Sequence, residues 1–187
     1  MERKQTREEY AIILDYLPHG YPLDTRPSHL KTPIAQAIGK SHFVLLEVVP
    51  KKGCFLKSSE EVYMGEGKRD KIHHISGRIP LDKLTRTARS ELDFILKDLV
   101  QASEQRFVEF FNLAGPINAR RHQLELLPGI GKKHMWEIID ERKENPFKNF
   151  KDIKERVKLL PDPEKSIIRR IIEELEEKDK HHLFVGN

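Results

Sequence analysis

A single cysteine, Cys54, stands in a chain of 187 residues. Without a second thiol there is no intrachain disulfide, no zinc ribbon and no four-cysteine iron–sulfur cluster. Long apolar runs are missing as well: nothing approaches the roughly 18 residues of a membrane span. The opening Met1-Glu2-Arg3-Lys4-Gln5-Thr6-Arg7 leads into no apolar stretch of signal type. These absences predict a cytoplasmic protein with no membrane partner. A third glycine is missing after Gly65-Glu66-Gly67, and no helical pattern follows, which excludes a dinucleotide fingerprint. Metal spacing is missing too, because no His, Asp and Glu group falls at i, i+4 in a convincing setting. Adjacent strand residues point to opposite faces, so His73-His74 is expected as one buried and one exposed ring. His181-His182 falls in a polar tail and is expected exposed. No catalytic constellation is visible, and an enzyme is not predicted.

Charge is what the chain has in quantity, at 34% of residues against 37% hydrophobic. That is enough for a core but not a generous one, in one large domain or two small ones. The net charge of +4 permits nucleic-acid binding without demanding it. Placement is more telling. Arg120, Arg121, Lys132 and Lys133 face Glu125 alone in their stretch, whereas Glu173–Lys180 holds five acids against two lysines. Such asymmetry favours a defined anion-facing surface.

Residues 1–80 read as β. Glu9–Leu17 is an apolar run closed by Pro18-His19-Gly20, and His42–Val49 is the clearest strand, ended by Pro50. The proline-rich stretch Tyr21–Pro33 reads as a loop. Glu61–Met64 and Lys71–Ser76 flank a glycine-containing basic loop and are predicted to pair as a hairpin. Short strands without intervening helices predict a small barrel or a rolled sheet, an oligonucleotide-binding-fold-like or similar five-stranded barrel. Lys68, Arg69 and Lys71 are candidate phosphate contacts, with Tyr63 as a stacking ring. Lysines that only guard a sheet edge fit equally well.

From residue 81 the period is helical, giving an α+β chain. Asp82 and Thr85 are candidate caps for a helix whose Ala88, Leu92, Ile95, Leu96 and Leu99 share one face. Ser103 caps the next, with Phe107, Phe110, Phe111 and Ala114 apolar and Gly115-Pro116 ending it. These helices, 81–114, are expected to bridge the β domain to a helical region at 115–177, before a polar tail at 178–187. Everything there turns on Leu124-Glu125-Leu126-Leu127-Pro128-Gly129-Ile130-Gly131-Lys132-Lys133. Asn118 is expected to cap a first helix carrying Arg120 and Arg121, which Pro128 stops. Gly129 and Gly131 permit φ > 0 and close backbone approach, and Ile130 points inward. A second helix then starts with orphan N–H donors and two lysines, a ready anion site that reads no base. Its inward residues are Met135, Ile138 and Ile139, with Trp136 beside them, expected half-buried in preference to stacking on a base or sugar.

This stretch, Asn118 to Ile139, resembles the helix-hairpin-helix motif of nucleic-acid-binding proteins. The resemblance implies phosphate binding by Gly129, Ile130, Gly131, Lys132 and Lys133, extended by Arg120 and Arg121. It also implies a monovalent cation held by carbonyls of the Gly129–Gly131 hairpin. The pattern repeats: Phe150–Val157 and Ile167–Leu175 flank a turn in which Leu159-Leu160-Pro161 aligns with Leu126-Leu127-Pro128. This is similar to the doubled helix-hairpin-helix domain. In the second copy Asp162 and Glu164 would repel phosphate, so that turn is expected to be structural, with Asp162 capping and Pro163 at the first helical position. Val62-Tyr-Met-Gly-Glu-Gly-Lys-Arg-Asp-Lys-Ile72, Gly77-Arg-Ile79 and the Leu-Pro-Gly-Ile-Gly turn together resemble the archaeal family of unknown function numbered 655. That family implies an RNA or DNA binder with no assigned reaction.

The leading expectation is a non-catalytic nucleic-acid-binding protein, structured RNA being favoured over duplex DNA by fold analogy. One alternative is an enzyme of helix-hairpin-helix glycosylase type, with Lys133 and Asp152 as its pair. Another is a protein–protein scaffold using the acidic last helix and the tail Leu183-Phe184-Val185.

Overall fold

A computed structural model describes residues 7–186. Residues 1–6 and 187, assigned above to the β domain and the polar tail, lie outside them. The chain divides into two compact units, one of Met1–Ile95 with Glu174–Asn187 and the other of Leu96–Glu173. The change of period at residue 81 thus falls inside the first unit. No helix of the described residues is long and apolar enough to cross a membrane.

The first unit is built on an antiparallel sheet of β1 (Tyr10–Leu17), β2 (Ile34–Gly39), β3 (Leu45–Pro50), β4 (Glu61–Tyr63) and β5 (Ile72–Arg78). Its order is β4-β1-β2-β3-β5, and it curls into a half-barrel rather than closing. The hairpin expected between β4 and β5 does not form. β4 pairs with β1, placing Tyr63 opposite Tyr10, while β5 pairs with β3. The intervening loop therefore joins the two edges of the sheet. Its glycines serve a ring rather than a tight turn. A Cβ on Gly65 would lie 2.3 Å from the Tyr63 hydroxyl oxygen, and the Gly67 N–H donates to that oxygen at 3.1 Å. The loop can wrap Tyr63 only because those side chains are absent.

β2 was not anticipated, because Ala35, Gln36 and Ala37 have weak strand propensity. Its place is central, between β1 and β3, and all its residues are buried. Ala35 and Ala37 join Ala11, Ile13, Leu46, Val48, Val62 and Met64 in one apolar cluster. Gln36, on the opposite face by strand alternation, has each amide atom occupied. Its nitrogen donates to the Tyr21 hydroxyl at 3.1 Å and to the Lys83 carbonyl at 2.9 Å. Its oxygen accepts the Thr85 N–H at 2.8 Å. A buried amide so satisfied carries little desolvation cost. Tyr21 in turn donates to Glu47 at 2.7 Å. Burial, then this bond to a carboxylate, pushes the Tyr21 pKa up to about 12. Thr85, not Asp82, starts α1 (Arg86–Ala102). Its hydroxyl accepts the Ala88 N–H at 3.0 Å and donates to Asp15 at 2.6 Å. The predicted stripe of α1, from Ala88 to Leu99, is buried.

The histidine pair is a second departure. The β3–β5 register shifts between Val49 and Pro50, so that Val49 faces His74 and Pro50 faces Ile72. This bulge at His73 breaks the alternation. Both rings are exposed, with their Nδ1 atoms 2.7 Å apart.

The second unit holds α2 (Glu104–Leu113), β6 (Pro116–Asn118), β7 (Arg121–His122), α3 (Lys132–Glu144), α4 (Phe150–Arg156) and most of α5 (Pro163–Leu175). Ser103 stands at the α2 N-cap without a side-chain bond. The far end of α2 is held by Arg142, which donates to the carbonyls of Phe111 and Ala114 at 2.9 and 2.8 Å. Arg156 does the same for α3, donating to the Asn145 carbonyl at 2.8 Å while its guanidinium stacks 4.5 Å above Phe147. Cations at helix C-termini complement the exposed carbonyls there.

The C-terminal tail is docked, not free. Glu174 is 1% exposed, and its carboxylate accepts N–H groups from Leu183, Phe184 and Val185 at 2.7, 2.9 and 2.8 Å. Phe184 is buried, the Gly186 N–H reaches the His42 carbonyl at 2.8 Å, and His181 and His182 are half-buried rather than exposed. Charge-assisted bonds of this kind make Glu174 the clasp of the first unit. Glu174→Ala is expected to lower stability to urea by about 2–4 kcal/mol and to speed amide exchange at residues 183–185. Unchanged exchange there would dismiss the clasp.

Candidate functional site

The turn before α3 is built by local rules. A 3-10 turn, Gln123–Leu126, replaces the expected helix from Asn118. Asn118 instead ends β6, where its Oδ1 accepts the Arg120 N–H at 2.8 Å. Arg120 and Arg121 accordingly lie in a β6–β7 ribbon, both exposed, and not on a helix. His122 opens the 3-10 turn with a capping box. Its Nδ1 accepts the Leu124 N–H at 3.1 Å, and Glu125 reaches back to the His122 N–H at 2.8 Å. Burial first, and then the charge of Arg142, hold the His122 pKa below the ordinary histidine value, against the pull of Glu125.

Gly129 has φ of +86°, and a Cβ there would meet Pro161 Cγ at 2.9 Å. Only glycine meets both demands. Ile130 is buried, as predicted. The carbonyls before it are satisfied from within. Leu126 accepts from Arg170 at 3.3 Å, Leu127 from the Ile130 N–H at 3.0 Å, and Pro128 from the Ser166 hydroxyl at 3.1 Å. Within the Gly129–Gly131 stretch, to which the resemblance assigns a monovalent cation, the Gly131 carbonyl accepts the Met135 N–H at 3.0 Å. The anchors Ser166 and Arg170 are 3% exposed each. Sequence reading passed over them, although Ile167, Arg170, Ile171 and Glu174 fall at i, i+3, i+4 and i+7, putting polar groups on an apolar stripe.

Gly131 is the N-cap of α3 and carries no side-chain cap bond. Gly129, Gly131, Lys132 and Lys133 are exposed. Lys133 leans toward Glu137 with 3.9 Å between charges, while 77% of its side chain remains accessible. Trp136, expected half-buried, is 58% exposed. Met135 and Ile138 are buried on the core side of α3, and Ile139 is half-buried.

The turn between α4 and α5 solves the same problem with different residues. Asp162 is its N-cap, accepting the Lys165 N–H at 3.2 Å and pairing with Lys154 at 2.9 Å. Burial raises the Asp162 pKa, but Lys154 and the Lys165 amide together hold it below the usual carboxylate range. Pro163 is the first helical residue, as expected. Superposing the caps sets Asp162 on Gly131, two residues away from the Leu-Leu-Pro alignment. Leu159, exposed at φ of +60°, supplies the left-handed turn residue. Asp152 belongs to the first turn of α4, where it accepts from the Lys148 N–H at 3.0 Å and from Arg156 at 3.4 Å.

The remaining candidates belong to the first unit. Lys68 is exposed. Arg69 donates through Nε to the Gly65 carbonyl at 2.9 Å, and Lys71 pairs with Glu60. Tyr63 is wrapped by its own loop and packs edge-on against Tyr10, with ring centroids 5.3 Å apart. Among the described residues, no group of three or more His, Cys, Asp or Glu is placed to hold a metal ion.

Residues 7–186 match the family described as Protein of unknown function (DUF655). The chain belongs to this family. It is 46% identical to Uncharacterized protein MJ0038 of Methanocaldococcus jannaschii over 185 residues, spanning 98% of this chain and 82% of that one. Its fold is similar to the crystal structure of Af1531 from Archaeoglobus fulgidus. The TM-score is 0.86 at 45% identity, covering 95% of this chain and 99% of the other. The DUF655 resemblance read from Val62–Ile72 and the Pro-Gly-Ile-Gly turn is therefore established, and with it the half-barrel followed by helices.

Two outcomes test the turn. Protonated His122 cannot accept the Leu124 N–H. Because its folded-state pKa is depressed, the unfolded chain binds the proton first, and stability falls as pH drops below about 6.5. His122→Asn keeps a capping acceptor and is expected to remove this part of the pH dependence in urea titrations between pH 7.5 and 5. Gly129→Ala is expected to cost about 1–3 kcal/mol, seen as a lower denaturation midpoint; a neutral effect would mean that the turn relaxes freely.

Proposed function

We propose that this protein is a non-catalytic, cytoplasmic nucleic-acid-binding protein. It grips a phosphate of the backbone at the start of α3, in the manner of a helix-hairpin-helix motif. The second copy of the doubled motif, around Asp162, is a structural partner. One observation carries the reading: the α3 N-terminus is left without a side-chain cap, and Lys132 and Lys133 stand exposed on its first turn. Unpaired N–H groups, the positive end of the helix dipole and two ammonium groups converge on one anion. Arg120 and Arg121 extend this basic stretch, and Lys68 with Arg69 and Lys71 offers a second surface on the half-barrel. At the second turn the corresponding cap is a carboxylate, which repels phosphate. Structured RNA is favoured over duplex DNA, since backbone contacts read shape. The glycosylase alternative is less favoured, since its Asp152 accepts from the Lys148 N–H and from Arg156 at the start of α4. The scaffold alternative loses its free tail, because Glu174 holds it.

The test is anisotropy with labelled structured RNA, single-stranded RNA and duplex DNA at two salt concentrations. Wild type is expected to bind more weakly at high salt, and Lys132→Glu/Lys133→Glu to lose at least tenfold on every ligand with a shallower salt slope. Salt-independent binding, or a folded variant that binds like wild type, would refute the phosphate grip.

A further inference from the structure

The geometry points to a stacking platform beside the lysines: we propose that Trp136 receives an unpaired nucleobase, while Lys132 and Lys133 hold the phosphates flanking it. The inference rests on the nucleic-acid reading above and narrows its ligand to segments with unstacked bases, such as single strands, loops and ends.

Trp136 is the one tryptophan in the chain and is 58% exposed. A tryptophan left in water forgoes the large burial energy of its ring. The core does not call on it, because α3 already buries Met135 and Ile138. Lys132 and Lys133 precede it by four and three residues, and positions so spaced are neighbours on a helix surface. Cations flanking a flat aromatic face match a nucleotide, with its planar base and anionic phosphate. The other exposed aromatic ring on a helix differs. Phe94 is 69% exposed, with two acids, Glu91 and Asp98, and one cation, Lys97, at the neighbouring positions of α1, whereas the one acid so placed about Trp136, Asp140, pairs with Lys143 at 3.0 Å. In an intact duplex only base edges are presented, so the face of Trp136 selects nucleotides that have left the stack.

The single tryptophan makes the test direct. Full-length protein is titrated with an oligouridylate and with a blunt duplex of equal length. Binding is followed by the anisotropy of an end label, and ring contact by the quenching of Trp136 emission. The single strand is expected to quench emission saturably, in step with anisotropy, and more strongly than the duplex. Trp136→Ala should weaken single-strand binding about tenfold, with Trp136→Phe recovering part of it. Equal quenching by the duplex would overturn the proposal. So would binding seen by anisotropy with unchanged emission and an unaffected Trp136→Ala, although the phosphate grip would then stand. If neither ligand changes the anisotropy, both readings fall together.

Discussion

A buried arginine and a buried serine on α5 fix the direction of the peptide groups in the turn before α3. Arg170 and Ser166 take the carbonyls of Leu126 and Pro128, and the buried Ile130 closes back on Leu127. With these oxygens satisfied inside, the exposed side of the turn is left to Gly129, Gly131 and the lysines. Glycine at residue 129 is then obligatory, because Pro161 occupies the space where any side chain would begin. The surface chemistry of the turn is thus set from behind, by groups that no ligand would touch.

The two turns of the second unit show how one backbone problem admits opposite electrostatics. Each must reverse the chain and start a helix. The first uses glycine at both the left-handed position and the cap, which leaves donors open. The second uses Leu159 and Asp162, so the donors of α5 are answered by a carboxylate that Lys154 neutralises. The left-handed residue stands two places before the cap in the first turn and three before it in the second, and the caps differ in charge.

Much of this was legible in the sequence. The stripe from Ala88 to Leu99, the inward Ile130, the Asp162–Pro163 cap and the family resemblance follow from spacing and local chemistry. What escaped depends on partners distant in the chain. β2 looks like a poor strand because its alanines and Gln36 suit only a central position between two sheets of side chains. The Gly65–Gly67 loop has the composition of a hairpin, yet it bends around Tyr63 and leads to the far edge of the sheet. Arg170 and Glu174 look like surface residues until their carbonyl and amide partners, tens of residues away or across the tail, are in place. The exposure of Trp136 escaped because spacing places it beside the apolar stripe without saying which neighbours fill the core.

The division of the chain has a further meaning during synthesis. Leu96–Glu173 is continuous in sequence, whereas the first unit joins residues 7–95 to residues 174–186. Chains emerge from the ribosome N-terminus first, and domains tend to fold as units in that order. Here that order is inverted for completion. The second unit can close while the half-barrel still waits for Glu174 to gather the amides of Leu183, Phe184 and Val185. The earlier-made unit is therefore the later one to be sealed.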